Sequence, residues 1–219
     1  MKPWVLVSYY TRGTGYEVEV KKLTASCDRL GIKYTARPVP SRGSWQKNTQ
    51  MKAEVILSTL RACSPSAVVF VDADAIVHQY PALFDTLDAD LGLSFRDYAL
   101  FPCGSRKSGR ELLSGTIYLA NNEAVRGLVG EWVAENGKNP GVWEQKNLQA
   151  VVGRWDGRLR VAELPPTYCK IFDLMRSAGP AVIEHYQKSR VYRGQTSRLR
   201  PAALRGVKPE GMIQSRDVR

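Results

Sequence analysis

Apolar and polar residues alternate weakly from Trp4 to Tyr9, a stretch rich in β-formers that predicts a buried first strand. After a turn at 11–15, Val20, Leu23, Cys27 and Leu30 recur at helical spacing, and Gly31 is placed to stop that helix in a left-handed conformation. Lys33 to Val39 reads as a second strand ended by Pro40. Trp45 to Cys63 carries the strongest helical pattern, with Ser44 as its cap, and Ala67 to Val71 is a third strand running into Asp-Ala-Asp. Further strands are predicted at Asp90–Phe95, Gly115–Ala120 and Leu159–Leu164, with helices at Glu123–Asn136 and Trp143–Val152. Strand and helix alternating through the first 75 residues predict an α/β fold with parallel strands and right-handed crossovers.

Composition narrows this picture. The chain has 219 residues, 43% of them hydrophobic, which suffices for one compact domain and excludes a disordered acidic chain or a fibre. Its longest apolar stretch, 67–71 followed by 75–77, is broken by two aspartates and falls far short of the roughly 20 residues that span a bilayer, so no integral membrane segment is expected. The N-terminus leads into the first strand without a signal-peptide cleavage pattern. Cys27, Cys63, Cys103 and Cys169 are widely spaced, which indicates neither a zinc site nor a disulfide framework and makes a reducing, cytoplasmic setting the expectation. The net charge of +11 is uneven: residues 188–219 hold nine basic and two acidic residues, a net of +7, which leaves +4 for the rest. That basic extension suits an extended segment lying on the domain or on a polyanion, and Arg106, Lys107 and Arg110 form a second basic cluster.

The chemistry centres on Val71-Asp72-Ala73-Asp74-Ala75. Ligands of open parallel sheets bind beyond the carboxyl ends of strands, where these aspartates lie. Two residues apart in extended chain, both carboxylates would point to one side and repel unless they share a proton or a cation; oxygen ligands suit Mg²⁺ or Mn²⁺. On the preceding helix pattern, Trp45, Asn48, Lys52, Ile56 and Cys63 fall on one face, so Asn48 and Lys52 share the buried stripe and need a partner: a nucleotide, or a strand-end aspartate. His78 reads as a surface residue. His185 ends a short apolar strand followed by Lys188 and Arg190, an imidazole able to complete a metal shell beside two cations able to neutralise a diphosphate.

These segments in this order, Asp72-Ala73-Asp74, Ser114 to Asn121, Trp143 to Leu148, and Ile183-Glu184-His185 with Lys188, resemble the GT-A fold glycosyltransferases, metal-dependent enzymes with a DxD motif. The resemblance spans about residues 4 to 190 and implies a Rossmann-like, mixed, mostly parallel sheet flanked by helices, with a transferase domain over 1–190 and a basic C-terminal extension over 191–219. It implies that Asp72, Asp74 and His185 hold Mn²⁺ or Mg²⁺ against the diphosphate of a nucleotide-sugar donor, a UDP-sugar in the first instance. Lys188 would face that diphosphate, joined by Arg190. It implies nucleoside contacts from Tyr9 and Thr11, with Asn48 and Lys52 flanking them, and Ser114 and Gly115 beneath the sugar. Glu144 and Gln145 match the position of an Asp-Gln or Glu-Asp pair that contacts the sugar or acts on the acceptor, and whether Glu144 is a base or a sugar-binding residue stays open.

Such a site must stabilise negative charge on the departing diphosphate. The acceptor is argued from charge alone. A basic surface favours DNA, as in enzymes that glycosylate modified bases in phage DNA. A surface glycan, lipid or protein acceptor is the rival, and a non-enzymatic nucleic-acid-binding module is the alternative of another class.

Overall fold

The computed structural model describes residues 3–63, 66–102, 108–196 and 212–215. Arg106, Lys107, Cys103 and the basic residues at 198–208, 216 and 219 lie outside them. In order, the elements are β1 (Trp4–Thr11), α1 (Tyr16–Arg29), β2 (Tyr34–Val39), α2 (Trp45–Ala62), β3 (Ala67–Val71), β4 (Ala75–Val77), α3 (Leu83–Thr86), β5 (Leu91–Asp97) and β6 (Arg110–Leu119). They continue with α4 (Glu123–Lys138), α5 (Glu144–Arg154), β7 (Val161–Glu163), β8 (Lys170–Ile171), β9 (Ile183–His185), α6 (Ser189–Thr196) and β10 (Ile213–Gln214).

The main sheet has the order β10-β2-β1-β3-β6-β5-β7. Strands β2, β1, β3, β5 and β7 run one way and β6 and β10 run against them, so the sheet is mixed and mostly parallel, as expected. Every residue of β3 is buried, because both faces are covered. Val68 and Phe70 enter the core formed with α2, α4 and α5, while Val69 and Val71 enter the core formed with α1 and β4. Burying a side chain of this size stabilises the fold by about 1.5–3 kcal/mol.

Local signals set the helix ends. The Ser44 hydroxyl accepts from the Lys47 amide, and the Asn122 side chain accepts from Val125. Gly31, at φ 65°, lets its own amide reach Asp28 O and the Ile32 amide reach Cys27 O, closing α1 in a Schellman motif.

The largest departures from the predicted elements fall in three regions. β6 begins at Arg110, five residues before the predicted start, because its polar first half gains a ladder to β5 across a register shift at Leu93/Ser94. The predicted strand 159–164 shrinks to three residues on a sheet edge. β10, from the basic extension, pairs Ile213 with Ala36 and Gln214 with Thr35, and α6 crosses residue 190. No helix among the described residues is long and apolar enough to cross a membrane.

A second sheet, β4-β9-β8, sits over the carboxyl end of β3. Its register places Ala75 opposite His185, which brings an imidazole 110 positions downstream beside the aspartates.

Candidate active site

The two aspartates converge by a turn, which corrects the extended-chain argument. β3 stops at Val71; the Asp72 amide donates to Gly115 O at 2.9 Å, and the Ala75 amide donates back to Asp72 O at 3.1 Å. Asp74 accepts from the Lys188 amide at 2.7 Å through Oδ2, and its carbonyl accepts from the Tyr186 amide at 3.1 Å. One ligand atom from each of Asp72, Asp74 and His185 lies within 4.8 Å of the others.

The electrostatics suit a cation. Burial pushes the His185 imidazole down to about 3, with the Lys52 charge adding to the effect, so the ring is neutral and has a lone pair to give. Its Nε2 pairs with Thr116 Oγ1 at 2.9 Å, which leaves Nδ1 for a ligand. That ring needs Gly115: a Cβ there would stand 2.9 Å from His185 Cε1 and 3.0 Å from Nδ1. Burial raises the Asp74 carboxyl, opposed by the Lys188 amide. Burial also pushes Asp72 up to about 7 against the pull of Lys52, although its side chain keeps 37% exposure to the cleft and water screens part of that penalty. Two carboxylates and a neutral imidazole are an oxygen-rich donor set that fits a divalent cation.

Behind this point lies a buried ion network. Lys52 is 2% exposed, and its ammonium stands 3.0 Å from Asp72 Oδ1, 2.7 Å from Glu144 Oε1, 2.9 Å from Ser114 O and 3.0 Å from Ser114 Oγ. Burial works against its charge, but the two carboxylates outweigh it and raise the Lys52 pKa. Glu144 is likewise opposed by burial, yet Lys52 and the Ser114 hydroxyl, 2.7 Å away, hold it below the usual carboxylate range. Gln145 Oε1 accepts from the Ser114 amide at 3.1 Å. The N-terminus of α5 is fixed in turn by the buried Trp132, whose indole donates to Glu144 O at 2.9 Å. Asn147 and Asn136 extend that support: Asn147 donates to Asn136, which donates to Gln50 O.

Of the residues singled out from sequence, Tyr9, Thr11, Asn48, Lys52, Asp72, Asp74, Ser114, Gly115, Glu144, Gln145 and His185 all line one cleft of about 1010 Å³, its open mouth included. Several are already engaged. The Tyr9 hydroxyl donates to the Asn48 and Thr49 carbonyls, and the Asn48 side chain binds the loop before α2, accepting from the Arg42 amide at 2.6 Å. Lys188 and Arg190 are not brought into the cleft lining: the Lys188 ammonium lies 4.0 Å from Glu19, and the exposed Arg190 guanidinium pairs with Asp173. His78 is exposed, as expected, and pairs with Glu184 at 3.2 Å.

Sequence reasoning missed Tyr10, Tyr16, Trp143, Cys169, Gln187 and Arg193, which also line the cleft, and gave Trp45 no role beyond its helix stripe. Trp45 and Trp143 meet edge to face with centroids 5.7 Å apart, a contact between helix starts almost 100 residues apart that no local pattern announces. For Trp143 the one available signal was its place directly before Glu144.

The mixed sheet, with an Asp-x-Asp turn after β3 and a histidine folded back onto it, has the GT-A fold. No family model and no curated protein matches the sequence. Solved structures match the fold. A glycosyltransferase involved in the glycosylation of the major capsid of PBCV-1 is similar with a TM-score of 0.67 at 15% identity, over 89% of this chain and 97% of that one. The galactosyltransferase LgtC, solved with donor and acceptor sugar analogues, is similar with a TM-score of 0.51 at 12% identity, over 84% of this chain and 87% of its own. The apo-form glycosyltransferase GlyE of Streptococcus pneumoniae TIGR4 gives 0.56 at 12% identity, over 85% of this chain and 55% of its own length.

Proposed function

We propose that this chain is a metal-dependent glycosyltransferase that moves a sugar from a nucleoside diphosphate to an acceptor hydroxyl. The observation that carries the reading is the convergence of Asp72, Asp74 and neutral His185 at the floor of a cleft, beyond the end of β3 in a GT-A fold. Asp72, Asp74 and His185 would hold the cation, which when bound supplies positive charge to the leaving diphosphate. The chain's own residues do the rest. Lys52 favours the ionised forms of Asp72 and Glu144 against burial and aims both by direct contact. Glu144, a carboxylate held ionised and locked to Lys52 and Ser114, suits contact with sugar hydroxyls and with the positive charge that develops on the ring better than it suits taking a proton. Ser114 and Gly115 present backbone close to the sugar, and Tyr9 and Thr11 stand at the carboxyl end of β1 for the nucleoside.

On charge alone the acceptor is a base in DNA, since a net +11 attracts phosphates. The unpaired Cys27, Cys63 and Cys169 support a reducing, cytoplasmic setting.

A thermal-shift panel of nucleoside diphosphates and nucleotide sugars, with Mn²⁺, Mg²⁺ or chelator, tests the donor site. Stabilisation by one nucleotide only with metal is expected, and Asp74→Ala should abolish both it and transfer while the protein stays folded. Full transfer by that variant in chelator sinks the reading. Label moved from a nucleotide sugar into hydroxymethylated duplex DNA tests the acceptor, and label entering only a glycan, lipid or protein removes DNA. Tight DNA binding with no response to any nucleotide would favour the non-enzymatic alternative.

A further inference from the structure

Where β5 and β6 lose register, Leu93 faces Ile117 while the next residue, Ser94, faces Leu113, so Ser114, Gly115 and Thr116 have no facing residue on β5. The Ser114 amide, turned out of that ladder, donates instead to a side chain, Gln145 Oε1, at 3.1 Å. The other end of the Gln145 amide donates in its turn: Nε2 lies 3.3 Å from Glu111 Oε1, and Glu111 Oε2 accepts from the Tyr98 hydroxyl at 2.6 Å. Tyr98 is seated by the neighbouring strand. Its ring centre lies 5.0 Å from the guanidinium of Arg96, which is buried and donates twice to Phe101 O. Phe101 packs in turn with Leu113, Cys169, Ile171 and Met175. Gln145 lines the cleft, whereas Glu111 does not and touches it from behind.

The chemistry of the two partners decides which way round the Gln145 amide sits. The Ser114 N–H can only donate and an ionised carboxylate can only accept, so one orientation satisfies both ends, and the reverse sets donor against donor and acceptor against acceptor. In the satisfied orientation Gln145 Oε1 and Glu144 Oε1 both lie against Ser114 Oγ, at 3.4 and 2.7 Å, so two oxygens stand together at the cleft lining.

Resting on the donor reading above, we infer that Glu111 is a positioning residue for transfer: backed by Tyr98, it holds the Gln145 amide with its oxygen beside Glu144 and toward the sugar. As the bond to the diphosphate breaks, positive charge develops on the sugar ring, and a carbonyl oxygen fixed beforehand in that place stabilises it. A turned or loose amide would present N–H groups to the same charge.

Two measurements test this, the first without substrate. In a proton–nitrogen correlation spectrum the Gln145 side-chain pair is identified by its loss in Gln145→Ala. Glu111→Leu should shift that pair, and Glu111→Gln, which still offers an acceptor, should shift it less. In the second, UDP-glucose, UDP-galactose, UDP-N-acetylglucosamine, GDP-mannose and dTDP-glucose are each incubated with the protein and Mn²⁺, and release of the nucleoside diphosphate to water is followed. On the sugar nucleotide that wild type turns over, Glu111→Leu should lower kcat about 10- to 100-fold with KM within about 2-fold. Tyr98→Phe should lose less in the same sense, and Glu111→Gln should recover most of the loss. A Gln145 pair unmoved by Glu111→Leu overturns the inference, as does an undiminished kcat, a loss carried by KM, or an equal loss in Glu111→Leu and Glu111→Gln. If wild type turns over none of the five, the donor reading falls and this inference with it.

Discussion

At the floor of the cleft the Lys52 side chain is 3% exposed and its ammonium meets two carboxylates and both Ser114 oxygens, whereas on the C-terminal wall Arg193 stands exposed against one face of Trp45. The floor comes from four elements that also form the core: β3, β6, α2 and α5. The wall is one eight-residue helix held by a few aromatic contacts, a hydroxyl bond to Glu19 and the backbone link to Asp74. Charge in the floor is therefore tied to folding, because a buried ion without its partner is costly. Charge on the wall is largely solvated and costs the fold little to lose.

The largest effect should come from breaking the floor. Lys52→Met leaves Asp72 and Glu144 without their cation and should cost about 3–5 kcal/mol in urea unfolding. Adding Glu144→Gln should return part of that loss, since one stranded charge is removed. Arg193→Gln, by contrast, should stay within about 0.5 kcal/mol of wild type. Equal costs for Lys52→Met and Arg193→Gln would erase the distinction between floor and wall.

A smaller effect follows from Gly115→Ala, which adds a methyl 2.9 Å from His185 Cε1. The ring must move, so the rise in melting temperature on adding Mn²⁺ should shrink by more than half while urea stability falls by about 1–3 kcal/mol. An undiminished Mn²⁺ response would remove His185 from the cation site.

The smallest effect is in pH, measured without cation. The unfolded chain protonates His185 as pH falls through 6.5 while the fold resists until about 3, so that contribution is present above 6.5 and lost on acidification. Asp72 acts in the opposite sense: the fold takes its proton near 7 and the unfolded chain near 3.8, so its contribution is full below 3.8 and lost as pH rises through 7. Between pH 7 and 4, His185→Gln should therefore gain stability relative to wild type on acidification, and Asp72→Asn should lose it by a smaller margin, since Asp72 is partly exposed. Urea midpoints across that range that stay parallel for all three proteins would contradict both assignments.

Much of this arrangement was legible in the chain. The β1 to β3 region was placed within a residue or two because apolar strands, a serine cap and Gly31 each act locally. The buried stripe holding Asn48 and Lys52 was correctly read as needing partners, and Lys52 found one of those expected, a strand-end aspartate, together with Glu144. The convergence of Asp72 and Asp74 was foreseen on an incorrect geometry, extended chain where the backbone turns. Arg193 was counted only as one charge of the basic extension, because nothing local says which of several cations along a tail will face a cleft.

What the sequence determined by itself, then, were the elements whose causes lie within a few residues: apolar period, caps, a left-handed glycine and an acidic strand end. The tertiary structure decided which distant groups share a point. His185 reaches Asp74 through the pairing of β9 with β4, Glu144 reaches Lys52 because Trp132 and the Asn136–Asn147 pair fix α5, and Arg193 reaches the cleft because Gly15 leaves room for Tyr192. Each of these depends on register or on packed volume. Both are properties of two segments in contact, so neither can be read from one segment alone.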